Sequence, residues 1–133
     1  MSAFISPVAP DTVFVWQIGV AETDRGRGVA RRLLLHLLAR PACRNVVALE
    51  ATVAPSNSAS RGMFRSVAEA LDAPFSVLPG FTPELFPGGA HETEDLVRIA
   101  PLPPSVRAHP LATVSPLDVR ARETRPSHSR HAA

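Results

Sequence analysis

A β-branched and aromatic run over residues 12–20 leads into the turn Asp24-Arg25-Gly26-Arg27-Gly28, and a leucine-rich run over residues 29–39 leaves it. The order strand, short Arg/Gly turn, helix restricts the chain to a few local folds and suggests a ligand class. Glycines let the backbone approach a ligand closely. The first helical turn beyond them leaves N–H donors without intrahelical partners. The helix dipole adds partial positive charge at that end, and Arg25 and Arg27 add full charges. The arrangement suits a pyrophosphate. A plain connector is the alternative that the turn alone leaves open.

The remaining elements read in order. Residues 12–20 form a strand that is apolar on both faces at its start and therefore central. Gly19 inside it suggests a bulge or a close backbone approach. A helix over residues 29–40 is ended by Pro41, because proline disfavours helical geometry in the residue before it. A second strand covers residues 46–53. Pro55-Ser56-Asn57 then turns the chain into a helix over residues 58–72, with Ser56 or Asn57 as its N-cap. Ala59, Met63, Val67 and Leu71 recur every four residues and predict that helix's buried stripe. Residues 75–78 make a short strand, residues 79–93 a Pro/Gly-rich loop, and residues 96–100 a final strand.

Length leaves room for one domain of modest core. No apolar stretch reaches the ~18 residues of a membrane span, and no basic segment followed by an apolar run marks a secretory signal. Cys43 is the single cysteine, so no internal disulfide framework exists; the expectation is a reducing, cytoplasmic setting. Cys43 as a nucleophile has no assignable activating group, and a small buried or surface residue is the plainer reading. The formal net charge of +2 is unevenly placed. Residues 1–102 carry nine arginines against ten acids, whereas residues 103–133 carry five against two. The basic balance belongs to a Pro-, Ser- and Arg-rich tail, which reads as disordered. Without tyrosine the tail offers no stacking platform, so nucleic acid is not the expected partner.

The spacing Arg25-x-x-Gly28-x-Ala30 resembles the Q/R-x-x-G-x-G/A signature of the GNAT acetyltransferase superfamily, and the β-α-β-α-β-β order resembles the C-terminal half of its domain. The resemblance sharpens at residues 10–17, 40–44, 49–53, 55–61 and 86–92, where several separated segments agree in order with the L-2,4-diaminobutyrate acetyltransferase family. It implies an α/β (α+β) fold with a mixed central sheet flanked by helices, spanning residues 1–102 as a partial domain, with residues 103–133 as tail. It also implies acetyl transfer from acetyl-CoA to the 4-amino group of L-2,4-diaminobutyrate in ectoine biosynthesis, with no metal, and a homodimer for the full-length protein.

Site residues follow from the same resemblance. Ile18, Val20, Arg25, Gly26, Arg27, Gly28, Ala30 and Asn57 fall at cofactor positions, Asn57 beside the pantetheine arm. The oxyanion donor is expected as a backbone N–H near Ile18. Trp16, sharing a face with Ile18 by strand alternation, falls in the amino-acid pocket; a core tryptophan is the plain alternative. His91 and Glu94 fall at substrate-site positions, where a carboxylate suits a dicationic amino acid and a histidine can relay a proton; a solvated polar loop is the alternative. Glu50 is a further candidate base. Where many superfamily members carry a tyrosine to protonate the leaving thiolate, this chain has Phe64.

In the superfamily a strand, two helices and two further strands precede the strand that starts here at Thr12. Residues 1–7 look like the end of the last of these. The expectation is therefore an N-terminally truncated domain, its Thr12 strand lacking a neighbour on one side and its substrate pocket lacking one wall. Such a chain is expected to have little activity. A catalytically silent remnant or interaction module, and acetylation of another amine or of a protein N-terminus, remain as alternatives.

Overall fold

Val13, Leu49 and Ile99 stand side by side on neighbouring strands, each almost wholly buried. They mark the centre of a mixed sheet in the computed structural model, which describes residues 1–82 and 92–108. The chain runs through β1 (Ser2–Ile5), β2 (Thr12–Gln17), α1 (Val29–Leu38), β3 (Ala48–Val53), α2 (Ser58–Ala70), β4 (Phe75–Phe81), β5 (Glu94–Ile99) and a helical turn, α3 (Ser105–Ala108). The strands lie in the order β1-β2-β3-β5-β4. Among the described residues only β2 and β3 pair in parallel, with α1 in the crossover between them.

Strand alternation sorts the sheet into two faces. Val13, Val15, Leu49, Ala51, Val53, Val97 and Ile99 join Leu34 and Leu38 of α1 and Phe64, Val67 and Ala68 of α2 in one core. The opposite face carries Phe14, Glu50, Thr52, Leu96 and Arg98, all half-buried. Phe4 and Phe14 pair there with ring centroids 5.5 Å apart.

Several expectations are corrected. The first strand stops at Gln17 rather than residue 20, and its bulge lies at Trp16, since Ala3 pairs with Val15 while Ser2 pairs with Gln17. Gly19 lies beyond the strand, where a Cβ would meet no atom of the described residues within 4 Å. The Thr12 strand also has neighbours on both sides, because β1 pairs antiparallel with it. The stripe on α2 is rotated: Phe64, Val67 and Ala68 are buried, Met63 and Leu71 are half-buried, and Ala59 is exposed. Phe64 and Ala68 fill the core, Met63 packs against its edge, and Ala59 is left for another surface. The expected loop over residues 79–93 is shortened at its start, and the final strand begins two residues before the expected residue 96. β4 continues through Pro79 and Gly80, which an edge strand tolerates at a bulge, and β5 begins at Glu94. A Cβ on Gly80 would run into the backbone of Glu94 and Leu96, so only glycine fits there. Pro103 is half-buried and Val106 of α3 packs against the core, so the folded part passes the expected boundary at residue 102. Residues 109–133, most of the expected tail, lie outside the described residues.

Cys43 sits in the core cluster, and burial pushes its thiol above its ordinary value although Arg40 pulls the other way. Burial therefore disfavours the thiolate, the reactive form, which agrees with the plainer reading of a small buried residue. An aromatic disulfide reagent should leave Cys43 unlabelled under native conditions and label it in urea. Immediate native labelling would contradict this placement.

Candidate active site

The parallel seam is short. Only Thr12, Val13 and Phe14 register with Ala48, Leu49 and Glu50, although β2 runs on to Gln17 and β3 to Val53. Beyond that point the strands part, and a cavity of about 660 Å³ opens beyond their C-terminal ends. One wall is Ile18, Val20, Arg25, Gly26, Gly28 and Ala30; the other is the start of α2, with Asn57, Ala59 and Met63. This explains the rotated stripe: Ala59 and Met63 serve the cavity.

The Arg/Gly turn is built to leave donors free. Gly26 and Gly28 adopt φ of +73° and +69°, a region costly for residues with a Cβ. Gly28 is the N-cap of α1 and offers no side chain to its first N–H groups. The first intrahelical contact runs from the Arg32 N–H to the Gly28 carbonyl at 3.0 Å, so the donors of residues 29–31 have no partner inside the helix. Arg32 also donates to the Arg27 carbonyl at 2.9 Å, holding the turn closed. At α2 the opposite holds: Asn57 Oδ1 accepts from the Ser60 N–H at 3.1 Å. Asn57 is thus a true N-cap and a cavity residue at once.

Seven of the eight expected cofactor residues line this cavity: Ile18, Val20, Arg25, Gly26, Gly28, Ala30 and Asn57. Arg27 does not; it forms an exposed ion pair with Asp24 at 2.8 Å. Arg31 lines the cavity and was missed, although its place in the first turn of α1 was a usable signal.

Trp16 does not share the setting of Ile18. The bulge breaks the alternation, so Ile18 packs against the core and lines the cavity, whereas Trp16 is 73% exposed and off the cavity wall. It is not a core tryptophan. By register, Phe14, Glu50 and Arg98 lie in one row of the opposite face, and Glu94 and Leu96 precede Arg98 along β5 at alternate positions. Glu50 and Glu94 therefore share that face, whereas alternation does not carry across the bulge to Trp16. Glu50 is ion-paired with Arg98 across β3 and β5, whereas Glu94 has no ion pair among the described residues. His91 lies outside the described residues. Phe64 is 2% exposed and off the cavity wall.

The sequence pattern of the acetyltransferase (GNAT) family matches residues 1–68. The chain is 48% identical over 101 residues to the L-2,4-diaminobutyric acid acetyltransferase of Marinococcus halophilus, covering 76% of this chain and 59% of the relative. It is 45% identical over 104 residues to that of Nocardia farcinica, covering 78% and 53%. Among solved structures it resembles the diaminobutyrate acetyltransferase EctA of Paenibacillus lautus in complex with L-2,4-diaminobutyric acid and coenzyme A. That match has a TM-score of 0.71 and 46% identity and covers 75% of this chain and 61% of the other. The chain thus spans somewhat over half the length of these curated relatives. Turn, cavity, sheet and sequence agree: the chain belongs to the GNAT acetyltransferase family.

Proposed function

We propose that this protein binds acetyl-CoA in the cavity between α1 and α2 and takes part in acetylating the 4-amino group of L-2,4-diaminobutyrate. The observation that carries the reading is the uncapped turn at Gly28. N–H donors of α1 that have no partner inside the helix and the side chains of Arg25 and Arg31 border one cavity, a surface fit for a diphosphate. The names of the relatives support the substrate. The same reading, resting on the family resemblance, carries a place in ectoine biosynthesis and osmoprotection, a cytoplasmic setting and a homodimer.

Acetyl-CoA, when bound, supplies a thioester carbon open to attack by an amine. The seam between β2 and β3 parts beside this cavity, and we place the thioester there, directed towards the face that carries Glu94. An unperturbed ammonium titrates near ~10, so the attacking amine needs a base. Glu94, half-buried and without an ion pair among the described residues, is the carboxylate we assign to the amino-acid cation, with His91 as proton relay. Glu50 is the weaker base, because a base role would require it to leave Arg98. The exposed ring of Trp16 forms part of the amino-acid pocket, and a backbone N–H near Ile18 meets the oxyanion.

The test follows release of the CoA thiol with acetyl-CoA and diaminobutyrate, beside acetyl-CoA titration by calorimetry. Amine-dependent release is expected to fall at least about tenfold in Glu94→Gln, as loss of a charge-assisted contact implies. Cofactor binding without amine-dependent release would favour the catalytically silent reading. Absence of cofactor binding would overturn the proposal.

A further inference from the structure

Ser56 grips the side chain of Glu92 twice, although the two are far apart in sequence. Its backbone N–H donates to Oε1 at 2.9 Å and its hydroxyl donates to Oε2 at 2.5 Å. Ser56 immediately precedes Asn57, the cap of α2 that stands on the cavity wall. Glu92 lies two residues before Glu94, where β5 begins. A second tie, the ion pair of Arg61 with Asp95, joins the first turn of α2 to the same strand. The two Ser56 hydrogen bonds, helped by Arg61, hold the Glu92 carboxyl below the usual carboxylate range.

We propose that Glu92 is a positioning residue: its carboxylate, held by Ser56 through two hydrogen bonds, fixes the N-terminus of α2 so that Asn57 keeps its place on the cofactor wall. The inference rests on the acetyl-CoA reading and adds a residue to it. Ser56 and Glu92 are both exposed and neither belongs to the core. Loss of the clasp should leave global stability alone and change the fraction of molecules whose cavity wall is ready for ligand. Apparent affinity falls with that fraction.

Three chains decide it: the parent, Glu92→Ala, and Glu92→Gln, whose amide can still accept from the Ser56 N–H and donate to its hydroxyl oxygen. Glu92→Ala is expected to weaken acetyl-CoA binding about tenfold, the scale of one lost hydrogen bond in a preorganised wall. Its melting temperature should stay within scatter, while the Ser56 and Ser60 amides exchange faster by NMR. Glu92→Gln should recover most of the affinity. Unchanged affinity in Glu92→Ala overturns the proposal, and so does a fall in melting temperature that tracks affinity in both variants. If the parent binds no acetyl-CoA, the cofactor reading fails by itself. Amide exchange then judges the clasp: faster exchange in Glu92→Ala supports it, and unchanged exchange removes it.

Discussion

Gly28→Glu is expected to reduce acetyl-CoA binding by about a thousandfold. A carboxylate placed some 4 Å from a phosphate costs about 4 kcal/mol at an effective dielectric near 20, and each ~1.4 kcal/mol is tenfold in affinity. Position 28 suits the test because it is the N-cap of α1 and borders the cavity. Gly28→Ala separates charge from strain. Its Cβ would meet only Arg32 Nη1 at 3.8 Å, an ordinary contact, so the left-handed φ of +69° is the main cost. That strain is about 1–2 kcal/mol and should appear as a lower melting temperature. Calorimetric titration of both variants checks the contrast, and equal affinity in the parent and Gly28→Glu would remove the cradle from this turn.

Phe64→Ala is expected to be the most destabilising single truncation considered, at about 3–5 kcal/mol. Phe64 is 2% exposed and sits in the core cluster with Leu34, Leu49 and Val67. Urea midpoints should show the loss directly, and a change below about 1 kcal/mol would mean that the site collapses without leaving a cavity. Phe64→Tyr tests a separate point. Many acetyltransferases of the superfamily use a tyrosine at the matching position as a proton donor, but this ring does not reach the cavity wall. The added hydroxyl should therefore cost about 1–3 kcal/mol as a buried group without a partner, and it should not raise turnover.

The turn and its cavity were legible in the sequence because they are local. The strand, the glycines, the arginines and the helix start lie within one continuous segment, and seven of the eight positions expected for a cofactor line the cavity. Asn57 was legible for the same reason, since a cap is written beside the helix it begins. What escaped depends on contacts between distant segments. The bulge at Trp16 arises from pairing with β1, so alternation within β2 alone assigned that side chain to the wrong neighbourhood. The commitment of Glu50 to Arg98 follows from a β3–β5 register that no local pattern encodes. The clasp of Glu92 on Ser56 needed both ends in place before it could be seen. Pro79 and Gly80 read as loop residues because their compatibility with a strand depends on β4 lying at the edge.

The three-residue seam between β2 and β3 also bears on how this protein comes apart. On one side of it lies an antiparallel hairpin, β1 with β2; on the other lies an antiparallel trio, β3, β5 and β4. Few ladder bonds join the two, so their union rests chiefly on the core that Val13 and Val15 share with Leu34 and Leu49. A ligand lodged in the gap touches both, since Ile18 and Val20 follow the hairpin while Asn57 and Met63 follow β3. At a hundred times its dissociation constant such a ligand adds about 2.7 kcal/mol to apparent stability. The molecule should then melt at a higher temperature when loaded than when empty, with occupancy acting as the missing stretch of ladder.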